Sequence, residues 1–99
     1  MLGLVGLAMK AGKLIIGEQA VWKVLQLSRA HLLLMATDAS DRKKRVFTSW
    51  ARAHDIPLIE LANKIDLGNQ LGRGQVAIAA IIDQPLAEAV RHRWSNMED

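Results

Sequence analysis

The chain is 99 residues long and 51% hydrophobic with a formal net charge of +3, which fits one domain able to bury a core without disulfide or metal staples. It has no cysteine, so disulfides, thiolate zinc sites and cysteine nucleophiles are excluded and the cytoplasm is the default expectation. Residues 1–50 hold eight Lys/Arg against three Asp/Glu, and residues 51–99 hold five against seven; whether the basic half serves a polyanion or is a solvated surface depends on where it falls in the fold.

Leu2, Leu4, Val5, Leu7, Ala8, Met9 and Ala11 predict a first helix, with Gly12 as its C-terminal cap. The apolar start does not read as a signal peptide, because no basic region precedes it and Lys10 and Lys13 follow it. The later apolar runs, residues 32–36 among them, are far too short to span a bilayer, and no membrane partner is expected. A strand, Lys13-Leu14-Ile15-Ile16, runs straight into Gly17 and a second helix over residues 17–28. On that helix Ala20, Val21, Val24 and Leu25 share the inward face, while Gln19, Trp22, Lys23 and Gln26 turn away from it. Leu32-Leu33-Leu34-Met35-Ala36 predicts a second strand, and its unbroken hydrophobicity suits a central position covered on both faces.

Ser40 is placed to cap a third helix whose inward residues are Val46, Phe47, Trp50 and His54. Pro57-Leu58-Ile59-Glu60-Leu61 reads as a third strand, and a short helix over residues 63–71 ends in the turn Gly72-Arg73-Gly74. Residues 75–82 read as a fourth strand, and Pro85 opens a last helix reaching Arg93, with residues 95–99 as a frayed tail. This alternation argues for a single domain over residues 1–99, with its core in residues 2–93: a three-layer α/β/α sandwich around a small, mostly parallel sheet.

In such a sheet ligands gather at the carboxyl ends of parallel strands, which singles out residues 16–19, 37–42 and 61–64. The first junction leads. A glycine there lets backbone approach a ligand, and the first helical N–H groups bind anions, with RNA phosphate the expected one. At the second, Arg42-Lys43-Lys44-Arg45 fills a first helical turn, where each cation opposes the helix dipole at a cost of about 0.3–1 kcal/mol. Asp38 and Asp41 offset part of that cost. Arg42, Arg45, Ser49 and Arg52 align along one face, which a solvated outer surface would also explain.

Catalytic signals are thin. His31, His54 and His92 are scattered, and capping accounts for Asp38 and Asp41 more simply than a carboxylate pair does. Gly68, Gly72 and Gly74 fit neither the dinucleotide fingerprint nor a phosphate loop. No nucleophile sits beside an obvious base, so no catalytic residue, metal site or cofactor is expected. Trp22 either stacks on an unpaired base beside Lys23 or packs over the sandwich edge, and packing is the simpler reading; Trp50 is expected in the core and Trp94 as a lid on the last helix.

The stretches Leu7-Ala8-Met9-Lys10-Ala11-Gly12-Lys13, Gly17-Glu18, Ala36-Thr37-Asp38-Ala39-Ser40 and Asn63-Lys64-Ile65-Asp66-Leu67-Gly68 occur in the order and spacing of a known group. Together they resemble the YlxQ-type bacterial branch of the ribosomal-protein superfamily that binds kink-turn RNA, with the L-seven-Ae and L-thirty-e type ribosomal proteins among its relatives. The resemblance covers residues 2–93. It implies a three-layer fold with a mixed four-stranded sheet, no enzymatic activity, and structured RNA, ribosomal RNA above all, as partner, with ribosomal or ribonucleoprotein proteins nearby. It further implies that Gly17 and Glu18 open the binding surface, Lys23 contacts phosphate and Lys64 lies beside the RNA backbone. Arg73, Gly74, Gln75 and Val76 then form the loop flanking a flipped-out nucleotide; beside what the resemblance implies, Gln19 in the first turn of the second helix, Trp22 next to Lys23 and Arg42 in the basic run complete the candidate set.

Three positions depart from the pattern. Ile16 stands where kink-turn binders place a lysine, and Gln19 and Ala20 stand where they place Asn and Glu to read the guanines of sheared G·A pairs. A glutamine amide still donates and accepts, but Ala20 offers nothing. Recognition by phosphate and shape is compatible with this set. The alternatives are a protein-interaction module that kept the fold but lost RNA specificity, and the recognition domain of an RNA-modifying enzyme.

Overall fold

The computed structural model describes residues 2–97. Its elements run α1 (Leu2–Lys10), β1 (Leu14–Ile16), α2 (Glu18–Gln26), β2 (Leu32–Met35), α3 (Asp41–Ala53), β3 (Leu58–Glu60), α4 (Lys64–Gln70), β4 (Ile78–Ile81) and α5 (Gln84–Met97). Local chemistry sets most boundaries. Gly12, at φ 72°, ends α1 with its N–H on Met9 O, and the Lys13 N–H reaches back to Ala8 O. Ser40 Oγ accepts from the Lys43 N–H at 3.2 Å, Asn63 Oδ1 from Asp66 at 2.7 Å and Asp83 Oδ2 from Leu86 at 3.0 Å, so α3, α4 and α5 each start on a side-chain cap.

The sheet order is β1-β4-β2-β3, with β2 and β3 parallel and β4 antiparallel to both β1 and β2. The sheet is therefore mixed, as the family resemblance implies, and not mostly parallel as the alternation of elements suggests. An unbroken apolar strand fits a doubly covered centre in either direction. β4 reverses because the chain turns back after the short α4 and re-enters from the edge where β3 ends. Both central strands, β2 and β4, are buried throughout.

Period-two alternation divides the core in two. Leu32, Leu34, Ala79 and Ile81 face α1, α4 and α5, meeting Val5, Ala8, Leu67, Leu71, Ala87 and Val90. Leu33, Met35, Ile78 and Ala80 face α2 and α3, meeting Val21, Val24, Leu25, Phe47 and Ala51. The register places Leu34 opposite Ala79 and Leu33 opposite Ala80, so small β4 side chains lie across from large β2 ones.

Four other expectations are corrected. Ala20 is exposed, because it lies beyond the margin of the stripe of Val21, Val24 and Leu25 that α2 buries, roughly a quarter-turn from the centre of that stripe. Residues 75–77 precede β4 as loop, since the Val76 N–H goes to Lys64 O instead of a neighbouring strand. Trp50 and His54 are half-buried at the edge of the second core. Residues 95–97 continue α5, held by Trp94 packing on the first core and by Asn96 Nδ2 bonding His92 Nε2 at 3.2 Å; Glu98 and Asp99 lie outside the described residues. Among the described residues no helix is long and apolar enough to cross a membrane.

Candidate functional site

β1, β2 and β3 all run opposite to β4, so their carboxyl ends converge on one edge of the sheet together with the segment entering β4. The three junctions singled out by the sequence are thereby neighbours. Between them opens a cleft of about 310 Å³, floored by Ile16, Ala77 and Ile78 and walled by Gly17, Glu18, Lys43, Lys64, Gln75 and Val76.

Gly17 forms one lip. Its backbone, at φ 100° and ψ 155°, occupies a region essentially restricted to glycine, and its N–H donates to Ile78 O at 3.1 Å. Glycine at this position is thus required by the backbone conformation itself. Nothing lies within 4 Å of where a Cβ would stand, so the space beside the lip is open. No side chain caps the helix beginning here, in contrast to α3, α4 and α5. Its first N–H groups and the positive end of its dipole are directed out of the strand end.

The opposite lip is α4 and the loop after it. The Lys64 N–H donates to Asp38 Oδ1 at 2.8 Å, and Lys64 O accepts from the Val76 N–H at 3.1 Å, so the residue is pinned from two sides. The Arg73 N–H donates to Gly68 O at 2.8 Å. Gly68 is itself buried, and a Cβ there would stand 2.7 Å from Gly74 O. The loop over residues 72–76 is therefore folded tightly onto α4. Gln75 is exposed at the cleft, whereas the Val76 side chain enters the first core at 3% exposure.

Charge around the cleft is partly neutralised. Lys43 Nζ pairs with Glu18 Oε1 at 2.8 Å across its mouth, both side chains about 40% exposed, and Lys44 Nζ pairs with Glu60 Oε1 at 3.1 Å. Pairs this exposed are worth only about 0–1 kcal/mol and yield readily to a competing anion. Among the described residues Lys64 forms no ion pair.

The structure thus gathers Gly17, Glu18, Lys64, Gln75 and Val76 in one cleft, with Gln19 exposed in the first turn of α2 beside it. Lys23 is exposed in the last turn of α2, roughly 9 Å along the axis from Gly17 at 1.5 Å per residue. Arg42 and Arg73 are exposed outside the cleft lining. Trp22 packs against Trp50 with ring centroids 5.0 Å apart and stands edge-on to His54 at 6.0 Å. Two contributors escaped the sequence reading: Lys43 as a cleft residue and Asp38 as a tie to α4. In the sequence Lys43 stands out only as part of a basic run, and Asp38 as a capping or charge-balancing acid near α3 and within one motif of the family resemblance, neither of which points to α4.

With this fold and cleft, the chain belongs to the ribosomal protein L7Ae/L30e/S12e/Gadd45 family, whose model matches residues 1–90. Within that family it is similar to the RNA-binding protein YlxQ of Bacillus subtilis (strain 168), 31% identical over 84 residues that make up 85% of this chain and 84% of the relative. The RNA-binding protein YlxQ of Enterococcus faecium is 28% identical over 90 residues, covering 91% of this chain and 86% of that one. A protein of unknown function from Bacillus halodurans has the same fold, with a TM-score of 0.87 and 25% identity over 92% of each chain.

Proposed function

We propose that this protein is a noncatalytic RNA-binding domain acting in the cytoplasm on a sharply bent, structured RNA of the kink-turn type, with ribosomal or other ribonucleoprotein RNA as its source. The observation carrying this reading is the uncapped start of α2 at Gly17 facing Lys64, Gln75 and Val76 across one cleft. Helix N–H groups and lysines supply phosphate contacts, which position an RNA without reading its sequence. The open space beside Gly17 admits backbone closely, and the 73–76 loop flanks a nucleotide turned out of the stack. Lys23, farther along α2, meets phosphate outside the cleft. Family membership and the names of the YlxQ relatives support RNA as the ligand class.

Base readout is reduced in this reading. Gln19 and Ala20 are both exposed on the first turn of α2, and a methyl group makes no hydrogen bond to a guanine edge. Recognition therefore rests on the bend and the backbone. Titrating the protein with a kink-turn RNA, a straight duplex and an unstructured strand of equal length tests the assignment. Preference for the bent RNA is the expected result; equal binding to all three would refute bend recognition, and binding to none would favour a protein-interaction module.

A further inference from the structure

Helix α3 carries a second basic surface, pointing away from the sheet. Its residues Arg42, Arg45, Ser49 and Arg52 fall on one helical face, opposite the face that buries Phe47 and Ala51. Around them lies a shallow depression of about 630 Å³ lined by Lys44, Arg45, Thr48, Ser49, Arg52 and Ala53, with no carboxylate among them. The contrast within the helix is informative. Lys43 and Lys44 are each paired with a glutamate, whereas Arg42, Arg45 and Arg52 form no ion pair among the described residues. Arg42 opposes the dipole in the first turn and stands three residues from the like charge of Arg45, so helix stability does not account for these two, whereas Arg52 in the last turn is favoured by the dipole.

Arginine forks alternating with Thr48 and Ser49 hydroxyls make a set of donors suited to phosphate oxygens. Neighbours three and four residues apart on a helix stand about 5–6 Å apart at Cβ, a spacing similar to that of successive phosphates on one strand. From Arg42 to Arg52 the face runs roughly 15 Å along the axis. It also begins at the cleft, because Lys43, next to Arg42, is part of the cleft wall. Beyond Arg52 the neighbouring hollow is lined by both Asp55 and Arg91, so the surface there is of mixed charge.

We propose that the outer face of α3 is a second phosphate-binding surface, which holds the backbone of one helical arm of the RNA seated in the cleft. The proposal rests on the cleft being the RNA site and extends it by a sequence-independent contact whose strength depends on arm length. Arg45 and Arg52 are both exposed, so replacing them removes charge without opening the core.

The test compares the unaltered protein, the double variant Arg45→Gln/Arg52→Gln and the cleft variant Lys64→Ala, with thermal melts confirming that each is folded. Two probes are titrated across a salt series: a kink-turn RNA with both arms extended, and the same RNA with both arms trimmed to the pairs flanking the bend. The double variant is expected to bind the extended RNA about tenfold more weakly and with a log K against log salt slope shallower by about 1.5–2, while binding the trimmed RNA like the unaltered protein. Unchanged binding of the extended RNA, or equal loss on both RNAs, would overturn the proposal. If it fails alone, Lys64→Ala still weakens binding of both RNAs. If the cleft reading fails as well, Lys64→Ala binds both RNAs like the unaltered protein, or the unaltered protein binds neither, and the second surface falls with it.

Discussion

Asp38 and Lys64 lie 26 residues apart in sequence, yet Asp38 Oδ1 accepts the Lys64 backbone N–H at 2.8 Å. One carboxylate thereby ties the loop after β2 to the start of α4, at a point where charge and helix dipole both favour an acid. Asp38→Ala leaves that N–H without its partner and is expected to lower unfolding free energy by about 0.5–2 kcal/mol. Chemical denaturation measures this. RNA affinity should fall with it, because Lys64 loses one of the two bonds that fix its backbone.

Lys64 itself offers a cleaner separation of binding from folding, since its structural hydrogen bonds use only backbone atoms. Lys64→Ala should keep the melting temperature within a few degrees while weakening RNA binding and making the salt slope shallower by roughly one. Lys23→Ala should produce a similar change in slope, through a phosphate outside the cleft. An unaltered slope for either variant removes that lysine from the interface.

Gly17 combines strain with access. At φ 100° and ψ 155° a Cβ is disfavoured even though no neighbouring atom obstructs it. Gly17→Ala is expected to cost on the order of 1–3 kcal/mol of stability. Gly17→Val adds bulk in the approach path, so its RNA affinity should fall below that of Gly17→Ala at a temperature where both are folded. Circular dichroism and titration on the same samples provide the two readings.

Gly68 is required for a different reason: its α-carbon is crowded by backbone, with Gly74 O only 2.7 Å from the position of an added Cβ. Neither side can yield as a flexible side chain would. Gly68→Ala should destabilise the domain by about 1–3 kcal/mol and displace the loop over residues 72–76. Amide exchange at Arg73 and Val76, whose N–H groups bond Gly68 O and Lys64 O, should accelerate.

Ala20 tests base readout. Because it is exposed in the first turn of α2, Ala20→Glu brings an acid to a favourable dipole position without disturbing the core. The unaltered protein should lose less than the ~1–3 kcal/mol of a good base contact when the sheared G·A pairs are disrupted, and the variant should discriminate more strongly. Strong discrimination by the unaltered protein would falsify this account of Ala20.

Features written in neighbouring residues were legible from the chain alone. The Gly12 stop, the Ser40 cap, the glycine junction at residue 17 and the Gly72-Arg73-Gly74 turn depend on local dihedral and capping chemistry, and each stands in the structure. The direction of β4 was not legible from periodicity, because an apolar strand buried on both faces has the same pattern either way. Nor were the Asp38–Lys64 and Glu18–Lys43 contacts, which exist only after distant segments meet at the sheet edge. Ala20 was misplaced because helical periodicity gives angles around the axis but not how wide a stripe the sheet covers. The resemblance to kink-turn binders supplied the mixed sheet that pattern alone did not.

The bonds from Arg73 to Gly68 and from Val76 to Lys64 also bear on rates. Ordering one residue of a free loop costs about 1–2 kcal/mol in backbone entropy, and a ligand meeting an unstructured wall must supply that for every residue it fixes. With the cleft as the binding site, folding has already done so, and binding needs no loop closure before contact is made. Encounter is then governed by diffusion and charge, while differences among RNAs of equal length are expressed in how long each remains bound.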